Sequence, residues 1–334
     1  SKIERANYML YLNAKEIREI FSMREAIESD REAFMIQAEG LAEVPVRTNF
    51  DVVNDGITSF MPALIKKYPR AGIKIVSTYT ENYKRGMSAV SATVLLADPE
   101  TGVVNAMLDG TELTRMRTGA VSGLATELLS NEEAECGALF GTGGQAASQL
   151  EAVLTARPLK EVRVFDMTAE RVADFISRME ECASKFGTRL VSAGSPQEAV
   201  TDADIITTVT TSPQPVFDGR CVKPGAHINA VGTFLPHKRE LDEYIVRRAD
   251  RIFIDNREAV MSEAGEFLIP MAEGRFSEEM ITGELGDLLL GRVAGRSDKK
   301  EITLMKTVGF ATLDIVIAHK VYEKALKAGI GTEL

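Results

Sequence analysis

Residues 138–146 read ALFGTGGQA, in which a short apolar run breaks into a glycine turn and then into a helical segment. Gly141 permits the tight turn, Gly143 lets the backbone approach a pyrophosphate, and Ala146 allows a helix to pack closely on a strand. A helix that begins here also offers free N–H groups and the positive end of its dipole to an anion. The pattern is typical of a dinucleotide cradle, and the alternative is an ordinary glycine-rich connection.

The sequence around the glycine turn favours the cradle. We predict a strand at Cys136–Phe140, a helix at Gln145–Ala156 and a second strand at Val162–Asp166. Because Asp166 closes that second strand, its carboxylate can accept hydrogen bonds from the adenosine ribose and repel a 2'-phosphate. These residues therefore predict NAD(H) rather than NADP(H) as the cofactor, whereas in an ordinary connection Asp166 would only cap a helix.

Composition restricts the class of protein. The chain has 334 residues, enough for two domains of ordinary size, and 45% of them are hydrophobic, as in a soluble globular protein. A net charge of -10 without a lysine or arginine block argues against a nucleic-acid or anionic-membrane partner. The three cysteines and three histidines are scattered, so we expect no disulfide framework, no metal site and a reducing cytoplasm as the setting. No apolar run reaches the roughly 18 residues of a membrane span, and the charged opening residues form no signal core.

Helices and strands alternate through the middle of the chain but not through its first third, and this contrast divides the chain into two domains. For residues 119–308 we predict a doubly wound parallel sheet of the Rossmann type, with helical crossovers between the strands. Its further predicted elements are helices at Thr168–Phe186 and near Gln197, and strands at Arg189–Ser192, Ala203–Val209, Ala226–Val231 and Arg251–Asp255.

Residues 1–118 and 309–334 are predicted to form an α+β domain, so the fold class is α/β with a second, α+β domain. A helix at Glu112–Leu129 links the two domains, and a C-terminal helix at Gly309–Ala328, with no strand after it, returns to the first. The other predicted elements are helices at Ala14–Ile20 and Met23–Glu39, and strands at Val46–Phe50, Gly72–Ser77, Ala89–Ala97 and Val103–Leu108.

Three basic residues of the first domain, Arg47, Lys74 and Arg117, are candidates for a substrate site. Their spacing alone favours surface charges. Lys74, however, is flanked by Ile73 and Ile75, whose side chains should point to the opposite face of a strand. Together the three residues can bind a carboxylate, because guanidinium groups do so bidentately and a lysine adds a point charge or a transferable proton.

Six motifs follow one another in order along nearly the whole chain. They are Arg47, Gly72-Ile73-Lys74, Met116-Arg117-Thr118-Gly119-Ala120, Gly141-Thr142-Gly143-Gly144-Gln145-Ala146, Ala203-Asp204-Ile205-Ile206-Thr207-Thr208 and His227-Ile228-Asn229-Ala230-Val231-Gly232. With this combination the chain resembles the ornithine cyclodeaminase and mu-crystallin family, which comprises cyclodeaminases, archaeal-type alanine dehydrogenases, ketimine and cyclic imine reductases and some opine-type dehydrogenases. The resemblance implies a homodimer made through the N-terminal, substrate-binding domains, with the active site between each such domain and its NAD(H)-binding Rossmann domain.

The resemblance also implies roles for individual residues. It places Arg47, Lys74 and Arg117 at the substrate carboxylate and the reacting centre. Met167 stands where NADP-preferring relatives often have arginine, in agreement with NAD(H). The residues that it places along the cofactor are the backbone of Gly144 and Gln145 at the pyrophosphate, Asp166 at the adenosine ribose, and Thr208, Val231, Gly232 and Lys238 further on.

Two departures from the family pattern bear on the reaction. Cyclodeaminases and alanine dehydrogenases of the family carry an aspartate in a Gly-x-Asp-x-Pro-Gly-Lys segment, and Phe234 stands at its position here. The cyclodeaminase pattern also has a threonine where this chain has Ala89, after Ser88. The distal amine of ornithine therefore loses its obvious anionic partner, and we expect Phe234, Ser88 and Ala89 to line the substrate pocket.

We therefore expect an NAD(H)-dependent oxidoreductase acting on the C–N bond of a small amino or imino acid. Such a reductase needs a carboxylate clamp, an aimed hydride and a proton source, which Lys74 or a bound water supplies. One alternative is an ornithine cyclodeaminase in which Asp314 or an ordered water replaces the missing aspartate. The other is a dinucleotide-binding, crystallin-like protein, against which the retained basic residues argue. His237, in a loop, and Asp314, a carboxylate on an apolar helix that needs a partner, are left without an assigned role.

Overall fold

A computed structural model describes residues 8–334, apart from the side chain of Tyr83, so the charged opening residues lie outside the described part. The chain divides into two compact units, one formed by the described residues up to Arg117 with Phe310–Leu334, the other by Thr118–Gly309. None of the described helices is both long and apolar enough to cross a membrane.

The described elements are numbered in chain order. The strands are β1 (Leu10–Leu12), β2 (Ala42–Glu43), β3 (Thr48–Val52), β4 (Gly56–Ile65), β5 (Arg70–Thr78), β6 (Val90–Ala97), β7 (Val104–Asp109), β8 (Cys136–Phe140), β9 (Glu161–Phe165), β10 (Arg189–Ser192), β11 (Ile205–Thr208), β12 (His227–Ala230), β13 (Arg251–Ile254), β14 (Gly283–Glu284), β15 (Thr303–Lys306) and β16 (Thr332–Glu333). The α-helices are α1 (Ala14–Ile20), α2 (Met23–Ala38), α3 (Gly110–Leu129), α4 (Ala146–Ala156), α5 (Ala169–Ser184), α6 (Pro196–Val200), α7 (Glu243–Arg248), α8 (Arg257–Glu263), α9 (Gly265–Ala272), α10 (Leu285–Leu289) and α11 (Ala311–Ala328).

The first unit is built on one mostly antiparallel sheet. Its strand order, among the described residues, is β16-β1-β7-β6-β5-β4-β2. Strands β2 and β3 both pair with β4: β3 pairs with the first half of β4, and β2 pairs with its last two residues. Helix α11 packs on β4, β5 and β6 and also against α2. Lys74 in β5 lies opposite Met61 and Val94, both of which are buried, so its side chain points to the same face of the sheet as theirs.

Local sequence fixes the start of the first two helices in this unit. Asn13 and Glu16 form a capping box at α1, and Ser22 and Glu25 form a second one at α2. Each box satisfies backbone N–H groups that a helix start otherwise leaves unpaired. The last helix, α11, ends at Gly329, whose φ of 66° is the left-handed conformation that glycine adopts without strain. The caps thereby set the ends of the two helices that carry the buried acids described below.

The second unit is a parallel sheet with the order β10-β9-β8-β11-β12-β15-β13-β14. If the strands of this unit are counted in chain order from β8 as strand 1, the first five strands in the sheet have the order 3-2-1-4-5, which is typical of dinucleotide-binding sheets. The glycine turn follows β8, at which the strand order changes direction, and ligands of such sheets bind outside the carboxyl ends of the strands at this point. The predicted doubly wound parallel sheet is thus confirmed.

Three strands that the sequence did not predict lie inside the sheets: β1, β4 and β15. Two of them, β4 and β15, carry a residue that disfavours a strand. Strand β15 lies between β12 and β13, and its last residue is the wholly buried Lys306. Strand β4 contains Pro62. On the edge of β4 that faces β2 and β3, β3 pairs with residues 56–60 and β2 with residues 64–65, so Pro62 lies between the two paired stretches. Its missing N–H therefore removes no hydrogen bond to either strand. The prediction that no strand follows the C-terminal helix was also wrong, because Gly329 and Gly331 turn the chain back and β16 pairs with β1.

Candidate active site

A buried carboxylate holds two of the predicted basic residues together in the first unit. The Lys74 Nζ atom is 2.7 Å from Oδ2 of Asp314, and the two side chains are 2% and 0% exposed. Oδ1 of Asp314 accepts a 3.0 Å hydrogen bond from Nε of Arg117. Lys74 and Arg117 are therefore buried ion-paired residues, and the surface positions that their spacing favoured are wrong.

The charges of this cluster shift one another's protonation. Burial acts to raise the pKa of the Asp314 carboxyl, but Arg117 and Lys74 outweigh it and hold that pKa below its usual value. Burial lowers the pKa of Lys74 from 10.5 to about 8, opposed by Asp314 and assisted by Arg117 and Arg47. An amine with such a pKa can both donate and accept a proton close to neutral pH, as general acid-base catalysis requires.

The remaining first-unit residues from the sequence prediction lie in loops. Arg47 lies between β2 and β3, is partly exposed, and is close enough to affect the pKa of Lys74. Ser88 is exposed, and its hydroxyl accepts a 3.3 Å hydrogen bond from the Val90 N–H, so it folds back on its own loop. Ala89 beside it is half-buried. The structure thus brings Arg47 into the electrostatic range of Lys74.

Asp30 is a buried acid that the sequence analysis missed. It is wholly buried on α2, and neither carboxyl oxygen has a hydrogen-bond partner among the described residues. Burial raises its pKa well above the usual range, opposed by Arg117 and assisted by Asp314, so the group is expected to be protonated. A helical periodicity identifies it, since it falls on the buried stripe of α2 with Met23, Ala26, Ile27, Ala33 and Phe34.

The glycine turn of the second unit has room for a ligand. At Gly141, where φ is 101°, an added Cβ would lie 2.7 Å from the Val209 carbonyl oxygen, so the fold itself requires glycine there. At Gly143 and Gly144, by contrast, an added Cβ would meet no atom of the described protein within 4 Å. Gln145 precedes α4 without making a side-chain cap. The open space and the uncapped helix start fit the pyrophosphate of a dinucleotide.

Asp166 connects the end of β9 to the glycine turn. Its Oδ2 atom accepts hydrogen bonds from the Thr142 N–H (3.0 Å) and hydroxyl (2.8 Å), and Oδ1 accepts one from the Thr168 N–H (3.3 Å). The carboxylate therefore shapes the turn, and it remains half-buried at the strand end where a ribose is expected. Met167 after it is 91% exposed and carries no charge that would attract a 2'-phosphate.

Thr208 and Gly232 meet at a buried acid, Glu240. The Thr208 hydroxyl donates a 2.9 Å hydrogen bond, and the Gly232 N–H a 2.7 Å one, to the same carboxylate oxygen, Oε2. Thr208 ends β11 and Gly232 follows β12, so Glu240 joins two neighbouring strand ends. Nothing in the sequence around Glu240, which reads Arg239-Glu240-Leu241, distinguished it from a surface charge.

The other second-unit residues line the loop after β12. Val231 is buried and belongs to an apolar cluster, whereas Phe234 is 45% exposed and His237 is exposed. Lys238 is half-buried, and its N–H donates a 3.1 Å hydrogen bond to the Leu235 carbonyl. The exposure of Phe234 leaves its ring accessible to a small molecule.

His227, from one of the six motifs, has a structural position. It is wholly buried in β12, and its ring nitrogens lie 2.9 Å from the Thr303 hydroxyl and 3.1 Å from Oδ1 of Asn229. Burial lowers its pKa to about 3, assisted by Arg296. A histidine that stays neutral and is bonded at both nitrogens serves to join β12 to β15.

Comparison with known proteins places the chain among NAD-linked enzymes. Residues 7–329 match the Ornithine cyclodeaminase/mu-crystallin family. A Delta(1)-pyrroline-2-carboxylate reductase from Bacillus cereus is 36% identical over 98% of this chain and 99% of its own. The Thermococcus litoralis enzyme of the same name, solved with NADH and L-proline, is 38% identical with a TM-score of 0.93 and covers 98% of this chain and 100% of its own. An archaeal alanine dehydrogenase dimer with bound NAD is 31% identical with a TM-score of 0.90, over 98% and 99% of the two chains.

The matches extend over both units rather than over the cofactor-binding sheet alone, and they include the motifs that carry Lys74, Arg117 and the glycine turn. The chain therefore belongs to the ornithine cyclodeaminase/mu-crystallin family, as its motifs predicted.

Proposed function

We propose that this protein reduces a cyclic imino acid of the Δ1-pyrroline-2-carboxylate class to the corresponding amino acid with NADH. The broader prediction is confirmed: the chain is an NAD(H)-dependent oxidoreductase that acts on a small amino or imino acid. The single observation that carries the narrower proposal is the buried Lys74–Asp314–Arg117 cluster, in which the lysine has a pKa of about 8. The reductase activity and bound L-proline of the relatives support it.

The residues of the cluster match the needs of imine reduction. Arg117 is oriented by Asp314 through Nε, and we assign it with Arg47 to the substrate carboxylate. Lys74, as an ammonium group, is assigned to give a proton to the imine nitrogen, which makes the imine carbon a better hydride acceptor. NADH, when bound, supplies the hydride. Asp314 keeps Lys74 charged in spite of its burial and touches no substrate in this scheme.

The cofactor residues are assigned from the geometry of the second unit. Gly141 shapes the turn, Gly143, Gly144 and Gln145 present backbone to the pyrophosphate, and Ala146 starts the helix behind it. Asp166 is assigned to the adenosine ribose. Thr208, Val231, Gly232 and Lys238 are assigned to the loops along the rest of the cofactor. Phe234, Ser88 and Ala89 are proposed to line the pocket for the ring of the substrate.

Of the two replacements considered for the missing aspartate of a cyclodeaminase, Asp314 is disfavoured by its position. Asp314 is wholly buried and already engaged by Lys74 and Arg117, so it is not available to bind the distal amine of ornithine. Phe234, in place of the missing aspartate, offers no charge. These two observations favour imine reduction over cyclodeamination.

We propose a homodimer formed through the first unit. The face of its sheet turned away from α11 carries apolar side chains that are only partly buried in one chain, among them Phe60, Ile73, Ile75, Leu95 and Met107. A contiguous apolar face on a protein surface often marks a site that packs against another protein. The alanine dehydrogenase relative is a dimer. A reducing cytoplasm remains our proposed setting, and the three free cysteines are compatible with it.

Product analysis tests this proposal. The purified protein is mixed with NADH and either Δ1-pyrroline-2-carboxylate or its six-membered homologue, and separately with ornithine and NAD. We expect equal amounts of NADH consumed and cyclic amino acid formed. Proline and ammonia from ornithine without net change in NADH would establish the cyclodeaminase instead, and no turnover of any of these compounds would contradict both readings.

A further inference from the structure

Glu240 is a wholly buried carboxylate that accepts four hydrogen bonds. Oε1 receives the Thr210 N–H (2.5 Å) and the Thr210 hydroxyl (2.7 Å). Oε2 receives the Thr208 hydroxyl (2.9 Å) and the Gly232 N–H (2.7 Å). Two of the four donors are backbone groups, so the carboxylate fixes the course of the main chain after β11 and after β12.

A second layer of buried charges supports Glu240. Its own N–H donates a 2.9 Å hydrogen bond to Oε1 of Glu266, and Oε2 of Glu266 lies 3.2 Å from Nζ of Lys306. Lys306, at the end of β15, also donates a 2.7 Å hydrogen bond to the Thr233 carbonyl. The network thus ties together the carboxyl ends of β11, β12 and β15, which are adjacent in the sheet.

The fit around Gly232 shows how tightly these loops are held. A Cβ at this position would lie 2.2 Å from the Thr210 carbonyl oxygen and 2.6 Å from Oε1 of Glu240.

Burial raises the pKa of Glu240, opposed chiefly by Lys306 and the Thr210 hydroxyl. Four donors aimed at one buried carboxyl group are satisfied by its ionised, acceptor-only form. Such a group costs free energy to bury and is retained where it fixes one arrangement of the chain.

The sheet topology tells which half of the cofactor these loops face. Asp166, at the end of β9, marks the adenosine side, and the glycine turn after β8 marks the pyrophosphate. A dinucleotide that continues along the carboxyl edge in the same direction reaches β11 and then β12, the next strands in order. The loops that Glu240 joins therefore lie on the nicotinamide side.

We propose that Glu240 is a positioning residue for the nicotinamide half of NADH, acting through the Thr208–Thr210 and Val231–Thr233 loops without touching the cofactor. This inference rests on the proposed function, since it requires that NADH binds at the glycine turn. It goes beyond that function by assigning to one buried acid the fit of the reacting half of the cofactor. The adenosine half, held by β8 and β9, is expected to be insensitive to Glu240.

The test compares two ligands in the full-length protein carrying Glu240→Gln. NADH contains the nicotinamide, whereas ADP-ribose has the same adenosine and pyrophosphate without it. The amide keeps the size of the side chain but turns two donor hydrogens toward the existing donors. We expect the Kd for NADH to rise about tenfold or more, the usual effect of losing a charged hydrogen bond, while the Kd for ADP-ribose changes less than about twofold.

Two further variants keep the test decisive. Thr210→Val removes only one donor to Glu240, and we expect the same selective loss of NADH affinity to a smaller degree if Glu240→Gln does not fold. Glu243→Gln, which makes the same charge change on a residue paired with Arg275 near the surface, should bind both ligands like the unmodified protein. Equal weakening of NADH and ADP-ribose, or no weakening of either, would overturn the role of Glu240. An unmodified protein that binds neither ligand would instead overturn the proposed function.

Discussion

At the scale of single residues, the chemistry depends on groups whose burial the sequence did not indicate. Lys74 and Arg117 were identified as site residues through the family resemblance, because their spacing alone favoured exposed charges. Asp314 was noticed as a carboxylate on an apolar helix, but its two partners lie 240 and 197 residues away in sequence, and only the fold brings them together. Asp30 was missed, although the periodicity of α2 places it on the buried stripe.

The pKa of Lys74 gives a pH dependence. If the ammonium form donates the proton, kcat/KM for imine reduction should be constant below about pH 8 and fall roughly tenfold per pH unit above it. For oxidation of the amino acid product the same group must be a free amine, so that rate should rise with pH. Rates measured in both directions across this range test the assignment. If the fall in kcat/KM above pH 8 came from ionisation of the substrate alone, its midpoint would be the same in every variant of Lys74 and its neighbours.

Asp314→Asn removes the anion that keeps Lys74 charged and orients Arg117. The pKa of Lys74 should fall further, because its burial then goes uncompensated, and the fall in kcat/KM should move to lower pH. We expect kcat/KM at neutral pH to fall about a hundredfold. Glu323→Gln, on the same helix but 43% exposed at the side chain, is the matched control. If the pH at which kcat/KM falls were the same in Asp314→Asn as in the unmodified protein, Lys74 would not be the proton donor.

At the scale of elements, the doubly wound order and most strands around the glycine turn follow from periodicity and from the turn itself. Two of the strands that escaped prediction, β4 and β15, carry a proline and a lysine inside a sheet. Their compensation is non-local, since Pro62 uses a gap between two short strands and Lys306 pairs with Glu266. No local pattern reveals such compensation.

Alanine substitutions at Gly141, which is tightly packed, and at Gly143, which faces open space, should have opposite effects on stability and on NADH binding. Gly143→Ala places a methyl group in open space, so the Tm without ligand should stay nearly unchanged while the Kd for NADH rises about tenfold, because the methyl blocks the pyrophosphate. Gly141→Ala should destabilise the protein by about 1–3 kcal/mol through strain and a clash with Val209. Thermal unfolding and NADH titration of both variants check this. Unaltered NADH affinity in Gly143→Ala would place the cofactor elsewhere.

At the scale of the whole molecule, the proposed dimer rests on the partly buried apolar sheet face of the first unit. Ile75→Glu puts a charge on that face, and we expect it to convert a dimer into a monomer, as measured by light scattering after size exclusion. Met167→Glu, at a residue 91% exposed in the second unit, should leave the mass unchanged. A dimer that persists in Ile75→Glu would show that subunits associate through another surface.

The most direct test of imine reduction by this site is the rate of NADH oxidation with Δ1-pyrroline-2-carboxylate in the unmodified protein and in Lys74→Met, with Lys327→Met as the surface control. Methionine fills the buried space without a transferable proton. The predicted result is rapid oxidation in the unmodified protein and the control, and a loss of about a hundredfold or more in kcat for Lys74→Met with the Kd for NADH unchanged. A Lys74→Met variant that retains its kcat would contradict the assignment of Lys74 as the proton donor.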